Sequence, residues 1–191
     1  MTVSPSREQI LIGKMPADPT DDEFRSIFNA EVAYVWNALR RFGVRAEDVE
    51  DVAHNVWVIV HRKLGEFDRS RPIRPWLLAI SFRAAAADRR LAHKKHEVPG
   101  SDDDRAVASG ALAPDEALEA KRAHRLVLSA LDALDLDRRA VFVMHEMDER
   151  PMKEIAAELD IPLNTGYSRL RLAREEFEAA IKRLRLHRGE P

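Results

Sequence analysis

Phe24, Ile27, Phe28, Val32, Val35, Trp36 and Leu39 recur three or four residues apart, which lines one side of a helix with apolar groups. Asp21 and Asp22 can cap that helix, and Gly43 follows its end. A second stripe, Val49, Val52, Val56, Trp57 and Val60, predicts a helix from about Glu47 to Leu64 with Gly65 as its stop. Its other side shows Asp48, Asp51 and Asn55 at helical spacing. Acidic groups in a first turn also suit the helix dipole, so spacing alone does not make this a binding face. Pro72 and Pro75 predict an extended approach to a third helix that starts near Trp76 and turns Trp76, Leu77, Ile80 and Ala84 to the core. Arg83, Arg89, Arg90, Lys94 and Lys95 give that helix a basic flank. The loop ahead of it mixes Phe67 with Arg69, Arg71 and Arg74. Rings beside arginines hold unstacked bases in single-strand binders. The same residues also suit core anchors with solvated cations beside them.

Residues 151–174, PMKEIAAELDIPLNTGYSRLRLAR, carry two further periodicities. Ile155, Ala156 and Leu159, with Ile161, form the apolar side of a short helix; Leu170, Ala173 and Phe177 form that of the next. Between them Asp160 tolerates the left-handed conformation of a helix end, and Pro162 suits a helix N-terminus because it has no N–H to leave unbonded. Opposite the second stripe stand Asn164, Thr165, Ser168, Arg169, Arg171 and Arg174, with Arg171 and Arg174 expected on the same side. This is either a solvated helical hairpin or a helix-turn-helix whose second helix enters a DNA major groove.

Composition narrows the classes. The 191 residues are 45% hydrophobic and 34% charged, enough for one domain or two small ones beneath a charged surface. A net charge of −2 neither supports nor excludes nucleic acid, but its distribution is informative. Residues 24–98 hold 14 basic and 9 acidic side chains, and residues 121–191 hold 14 and 13. Between them, residues 99–120 hold 1 basic and 6 acidic, in PGSDDDRAVASGALAPDEALEA, which has no helical stripe before Pro114. The expected fold is therefore all-α, with two small helical domains joined by a flexible acidic linker, the C-terminal one containing the helix-turn-helix. Its parts are a flexible N-terminal segment (1–20), a helical domain (21–98), the linker (99–120) and a second helical domain (121–191). With no cysteine, disulfides and thiolate metal sites are excluded. Apolar runs such as Val56–Val60 are too short to span a bilayer, and MTVSPSREQILIGKMPADPTDDE lacks a signal-peptide core. A cytoplasmic protein without membrane insertion is expected. His93 and His96 lack a carboxylate at ligand spacing, and no Gly-rich phosphate loop or nucleophile elbow occurs. Neither a metal nor a cofactor nor an enzyme acting alone is expected.

AEDVEDVAHNVWVIVHRKLGEFDRSRPIRPWLLAISFRAAAADRR resembles region 2, and ALDALDLDRRAVFVMHEMDERPMKEIAAELDIPLNTGYSRLRLAREEFEAAI resembles region 4, of the extracytoplasmic-function (ECF) sigma factors of bacterial RNA polymerase. The resemblance implies a factor that binds core RNA polymerase, recognises promoter DNA and aids its melting. It places Asp48, Asp51 and Asn55 where the family docks on the polymerase clamp helices. Phe67, Asp68, Arg69, Ser70, Arg71, Ile73, Trp76, Arg83, Arg89 and Arg90 fall where the −10 element is melted and read. Asn164, Thr165, Tyr167, Ser168, Arg169, Arg171 and Arg174 fall on the helix that reads the −35 element. The acidic linker falls where the family threads a segment past the polymerase active centre. Many members are held by an anti-sigma factor, which makes one a further expected partner.

This chain departs from the pattern at several places. Asn55 stands where Gln is frequent, Asp88 lies one place beyond a usual Asp, and Gly166-Tyr167 replaces a commoner Val-Lys pair. Gly166 lowers helix stability by about 1 kcal/mol relative to Ala. Two rival readings remain at this level. One is a stand-alone helix-turn-helix regulator, which would need a dimer face for paired half-sites, and no heptad or spare apolar helix supplies it. The other is an interaction protein of the same shape that has lost DNA reading, which Gly166 and Tyr167 would favour.

Overall fold

The computed structural model describes residues 19–95 and 114–187; the expected N-terminal segment up to residue 18 and linker residues 99–113 lie outside the described residues. The described residues are helical, with no strand among them. Helix α1 spans Pro19–Arg41, α2 Val49–Lys63 and α3 Ile73–Lys95, with a 3-10 turn at Leu64–Glu66. Then come α4 (Pro114–Leu131), α5 (Leu136–Phe142) running into a π turn (Val143–Met147), α6 (Met152–Glu158) and α7 (Leu163–His187). None of these helices is long and apolar enough to cross a membrane.

Local chemistry sets the helix ends. After α1, Gly43 takes φ +91°, its N–H bonds Arg40 O at 3.1 Å, and the Val44 N–H reaches back to Leu39 O at 3.1 Å. That pair of bonds is a Schellman ending, with Val44 buried as its apolar contact. Asp160 does the same after α6, at φ +53°, with Ile161 N–H bonding Ala156 O at 2.9 Å. The expected left-handed aspartate is therefore present. Two boundaries differ from expectation. Helix α3 starts at Ile73, which puts Pro75 in its first turn, where the missing N–H has no intrahelical partner to lose. Helix α4 starts at Pro114, so residues 114–120 of the segment read as a linker are helical. Proline suits a first helical position, and the acidic side chains that follow suit the N-terminal dipole.

Helices α1, α2 and α3 pack together around Val35, Leu39, Val52, Val56, Val60, Leu77 and Leu78. Trp57 meets Phe24 and Phe28 at steep, T-shaped angles, with ring centroids 6.0 and 4.9 Å away. Val32, expected in the stripe, is instead 36% exposed. Helices α4, α5 and α6 pack on α7 around Leu131, Val141, Met144, Ile155, Leu170 and Ala173. The two groups share one continuous apolar cluster, with α1 lying against α4.

Gly166 of α7 lies against Met152 of α6. It is buried, and a Cβ there would lie 2.7 Å from Met152 Sδ. The residue that weakens α7 by propensity thus lets the two helices of the helix-turn-helix meet. Gly166→Ala gains about 1 kcal/mol of helix propensity but overpacks a site whose neighbour Met152 is itself buried, at about 1–3 kcal/mol. We expect a net loss of roughly 1 kcal/mol in denaturant unfolding, relieved by Met152→Ala in the same chain. A gain in stability from Gly166→Ala alone would show that the contact does not limit the packing.

Candidate nucleic-acid interface

Helix α7 divides cleanly by burial. Gly166, Leu170, Ala173 and Ala180 face the core, with Phe177 half-buried and stacked 4.7 Å from Phe142. Asn164, Tyr167, Ser168 and Arg171, at helical spacing, are exposed, and Tyr167 is 54% exposed although large and apolar. Ser168 Oγ donates to Asn164 O at 2.8 Å, so its hydroxyl is held on the helix. Thr165 and Arg169 are half-buried.

Arg169, Arg171 and Arg174 of α7 divide between two tasks. Arg169 donates to Asp137 of α5 at 2.6 Å, and Arg174 donates to Glu146 of the π turn at 2.6 and 3.1 Å. Both tie α7 to the helices it packs on. Arg171 bonds Glu175 one turn along the same helix at 2.6 Å, with both side chains well exposed. An exposed pair of this kind is worth only a few tenths of a kcal/mol, so a phosphate or base edge can displace Glu175 at little loss. Arg171 and Arg174, expected side by side, therefore point to different partners.

The loop before α3 is shaped in advance. Asp68 Oδ1 accepts from the Ser70 N–H at 3.0 Å and the Ser70 hydroxyl at 2.7 Å. The Ser70 hydroxyl, then its amide, hold the Asp68 carboxyl below the usual carboxylate range. The Ser70 N–H to Asp68 Oδ1 bond makes an Asx turn, and the Arg71 N–H bonds the backbone Asp68 O at 3.1 Å, which closes a β-turn over the same residues. Phe67 stacks on Trp76 with centroids 4.9 Å apart, and both rings are half-buried. Arg69 grips Glu23 of α1 through two bonds at 2.8 and 2.7 Å, a fork-to-fork pair that pulls the Glu23 carboxyl down. Phe67, Asp68, Ser70, Arg71, Ile73 and Trp76 are thus gathered at one end of the first bundle, with Arg71 exposed.

The rest of the basic flank is not gathered there. Arg83 donates to Glu158 of α6 at 2.8 Å, Arg89 is half-buried towards Arg139, and Arg90 is exposed. On α2, Asp51 and Asn55 are exposed, whereas Asp48 is half-buried and held by Arg45 at 2.7 and 2.8 Å. Burial first, then the charge of Asp48, raise the carboxyl of Asp88 above its usual range. Asp88 therefore belongs to the α2–α3 contact.

Arg139, Tyr34 and Arg150, none singled out by the sequence, also make side-chain contacts. Arg139 is 2% exposed; it donates to Asp132 at 2.8 Å and crosses to α1, bonding Arg40 O at 3.2 Å and Arg41 O. Tyr34 donates to Asp148 at 2.9 Å, and burial, then that carboxylate, push its phenol well above the usual value. Arg150, 8% exposed, lies 3.6 Å from Glu158. For Arg139 a signal existed: it lies three and four residues before Phe142 and Val143, on the face that helical periodicity assigns to the core.

Comparison with known proteins accounts for this arrangement. The sigma-70 region 2 profile matches residues 27–94, and the sigma-70 region 4 profile matches residues 124–177. RNA polymerase sigma factor CnrH of Cupriavidus metallidurans is 29% identical over 150 residues, covering 75% of this chain and 78% of that one. RNA polymerase sigma factor NccH of Alcaligenes xylosoxydans is 26% identical over 147 residues, 76% and 79% of the two chains. The ECF RNA polymerase sigma-E factor of Escherichia coli K12 is 27% identical over 150 residues, 74% and 78% of the two. Among solved structures, the sigma factor RpoE of Bartonella quintana, in complex with the anti-sigma factor NepR, aligns with TM-score 0.63 and 17% identity, over 84% of this chain and 98% of that one. CnrH in complex with the cytosolic domain of CnrY aligns with TM-score 0.57 and 23% identity, over 84% and 88%. Both regions are matched in order on the two helical groups just described, and the chain belongs to the sigma-70 family, as an RNA polymerase sigma factor of its ECF branch.

Proposed function

We propose that this sigma factor reads promoters in two pieces, with α7 on duplex DNA at the −35 element and the loop before α3 on bases of the melted −10 element. The observation that carries the reading is the exposed polar face of α7, with Asn164, Tyr167, Ser168 and Arg171 opposite a fully packed stripe. Gly166 does not weaken it, because its close contact with Met152 gives the glycine a packing role. The loop offers what a flipped base requires: a ring pair at Phe67 and Trp76, and polar groups at Asp68, Ser70 and Arg71. Pro72 limits the loop's conformations, so less entropy is lost on binding. Bond chemistry stays with the polymerase. Core RNA polymerase, promoter DNA and an anti-sigma factor are the partners, the last supported by the RpoE–NepR complex, and the cytoplasm is the place of action. A stand-alone helix-turn-helix regulator is not favoured, since it leaves the region 2 match without a use. Run-off transcription with purified core polymerase on genomic promoter fragments tests the whole reading.

For polymerase docking, Asp51 is the clean probe because Asp48 already serves Arg45. Asp51→Lys should leave the folding free energy within about 0.5 kcal/mol and weaken core binding by roughly tenfold. Unchanged affinity in a fluorescence titration would place the docking face elsewhere.

On the −35 side, Arg171→Ala should lose about 1–3 kcal/mol of discrimination at one base position. Arg174→Ala, which also frees Glu146, should weaken all −35 sequences alike. Competition binding against single-base duplex variants separates the two, and no effect from either rejects α7 as the reading helix.

Transplanting another sigma factor's loop over Phe67–Ile73 should change −10 preference and leave −35 preference in place. Weak loop variants should be partly rescued on templates premelted by a mismatched bubble, because the unstacking energy, a few kcal/mol, has already been supplied. If loop swaps leave −10 preference unchanged, or bubbles give no rescue, the loop is structural.

A further inference from the structure

Among the described residues, the large apolar side chains left exposed are Val32, Leu91, Leu118, Leu163, Tyr167 and Leu186. Of these only Leu163 and Tyr167 stand one turn apart on one helix, in the first two turns of α7. Leu163 is 44% exposed and Tyr167 54%. Side chains four apart on a helix are neighbours, so the two make one apolar patch. Core packing does not account for it, because the buried stripe of α7 runs through Gly166, Leu170 and Ala173 on another side. At about 100° per residue, Tyr167 stands about 40° round the helix from Leu163, and Arg171 about 40° further on. Asn164 and Ser168 complete the arc within about 60° more. The patch is therefore continuous with the polar face assigned above to the −35 duplex.

An apolar pair on that face restricts what it can meet. Opposite a phosphate or an amino edge it would cover a polar group and give it no hydrogen-bond partner, which is costly. In the major groove thymine adds a methyl group to its edge, whereas adenine, guanine and cytosine present polar groups there. The N-terminal residues of a recognition helix are those that reach base edges. Tyr167 suits such a contact, since a ring with two rotatable angles loses little freedom when it packs. Neither Leu163 nor Tyr167 brings a positive charge for a phosphate.

We infer that Leu163 and Tyr167 form an apolar reading pair that selects thymine in the −35 element through its 5-methyl group. The inference deepens the assignment of α7 to the −35 duplex and rests on it. Arg171 lies about 6 Å along the helix axis from Tyr167, at about 1.5 Å per residue. With bases stacked about 3.4 Å apart, the selected thymine lies within about two or three base pairs of the base that Arg171 contacts. The two contacts differ in kind. Arg171 reads by hydrogen bonding and the pair reads by burying a methyl, so removing that methyl from the DNA isolates the pair.

Holoenzyme assembled from the full chain and core polymerase supplies the test. Its −35 preference is first obtained by selection from a promoter fragment that it transcribes, randomised over the upstream element. Each thymine of the selected duplex is then replaced singly by deoxyuridine, which removes only the 5-methyl group. We expect one such replacement to lower affinity roughly fourfold, the effect of one buried methyl. Tyr167→Ala should weaken the thymine duplex by at least that factor and bind the thymine and deoxyuridine duplexes equally. Tyr167→Phe, which keeps the ring, should retain the difference, and Leu163→Ala should reduce it. Both side chains are exposed, so these changes leave the fold in place. The inference is overturned if every deoxyuridine duplex binds wild type as the thymine duplex does, or if Tyr167→Ala keeps the full difference. Either result would leave the patch to a protein partner instead. A selection that returns no preferred upstream sequence would reject α7 as the reading helix, and the inference with it.

Discussion

A guanidinium withdrawn from water must find acceptors for its N–H groups, and Arg139 finds them in two places at once. Asp132 supplies a carboxylate from just after α4, while Arg40 and Arg41 supply carbonyls from the end of α1. Burial lowers the affinity of the guanidinium for its proton, and the Asp132 carboxylate works against that change. Without the carbonyls the cation would be only half satisfied, and an uncompensated buried charge costs several kcal/mol. Gly43 makes the approach possible by presenting no side chain where Arg139 lies, and its positive φ ends α1 at the same point. The relative placement of the two helical groups follows from this local arrangement.

The remaining arginines divide by what holds them. Arg69, Arg74, Arg83, Arg169 and Arg174 each reach a carboxylate distant in sequence, at Glu23, Glu31, Glu158, Asp137 and Glu146. These pairs position helices relative to one another. Arg171 instead pairs within its own helix, and Arg71 pairs loosely with Asp68 at 3.4 Å in its own turn. Pairs between exposed groups are worth at most about 1 kcal/mol and weaken in salt. Arg171, on the exposed face of α7, and Arg71, in the loop before α3, are therefore among the described cations that can change partner at little loss. A near-neutral chain can in this way present local basic groups while other arginines serve the fold.

Sequence periodicity determined the helices, their buried stripes and most of their ends, because those depend on neighbours within one or two turns. Val49, Val52, Val56, Val60, Ile155, Leu170 and Ala173 are buried as their spacing requires, and Asp160 takes the left-handed turn its side chain permits. The exposed side of α7 was legible at Asn164, Ser168 and Arg171, whereas Thr165 and Arg169, expected on that side, are half-buried. Only the tertiary structure decided which cations were already committed, since Arg83 meets Glu158 across 75 positions and Tyr34 meets Asp148 across 114. It also reversed the meaning of Gly166, a weakness by helix propensity and a necessity once Met152 lies against it. Local pattern carries the hydrophobic effect, which depends on area and can be read along one helix. Hydrogen bonds and ion pairs depend on distances of about 3 Å between remote atoms, and those are set only when the helices pack.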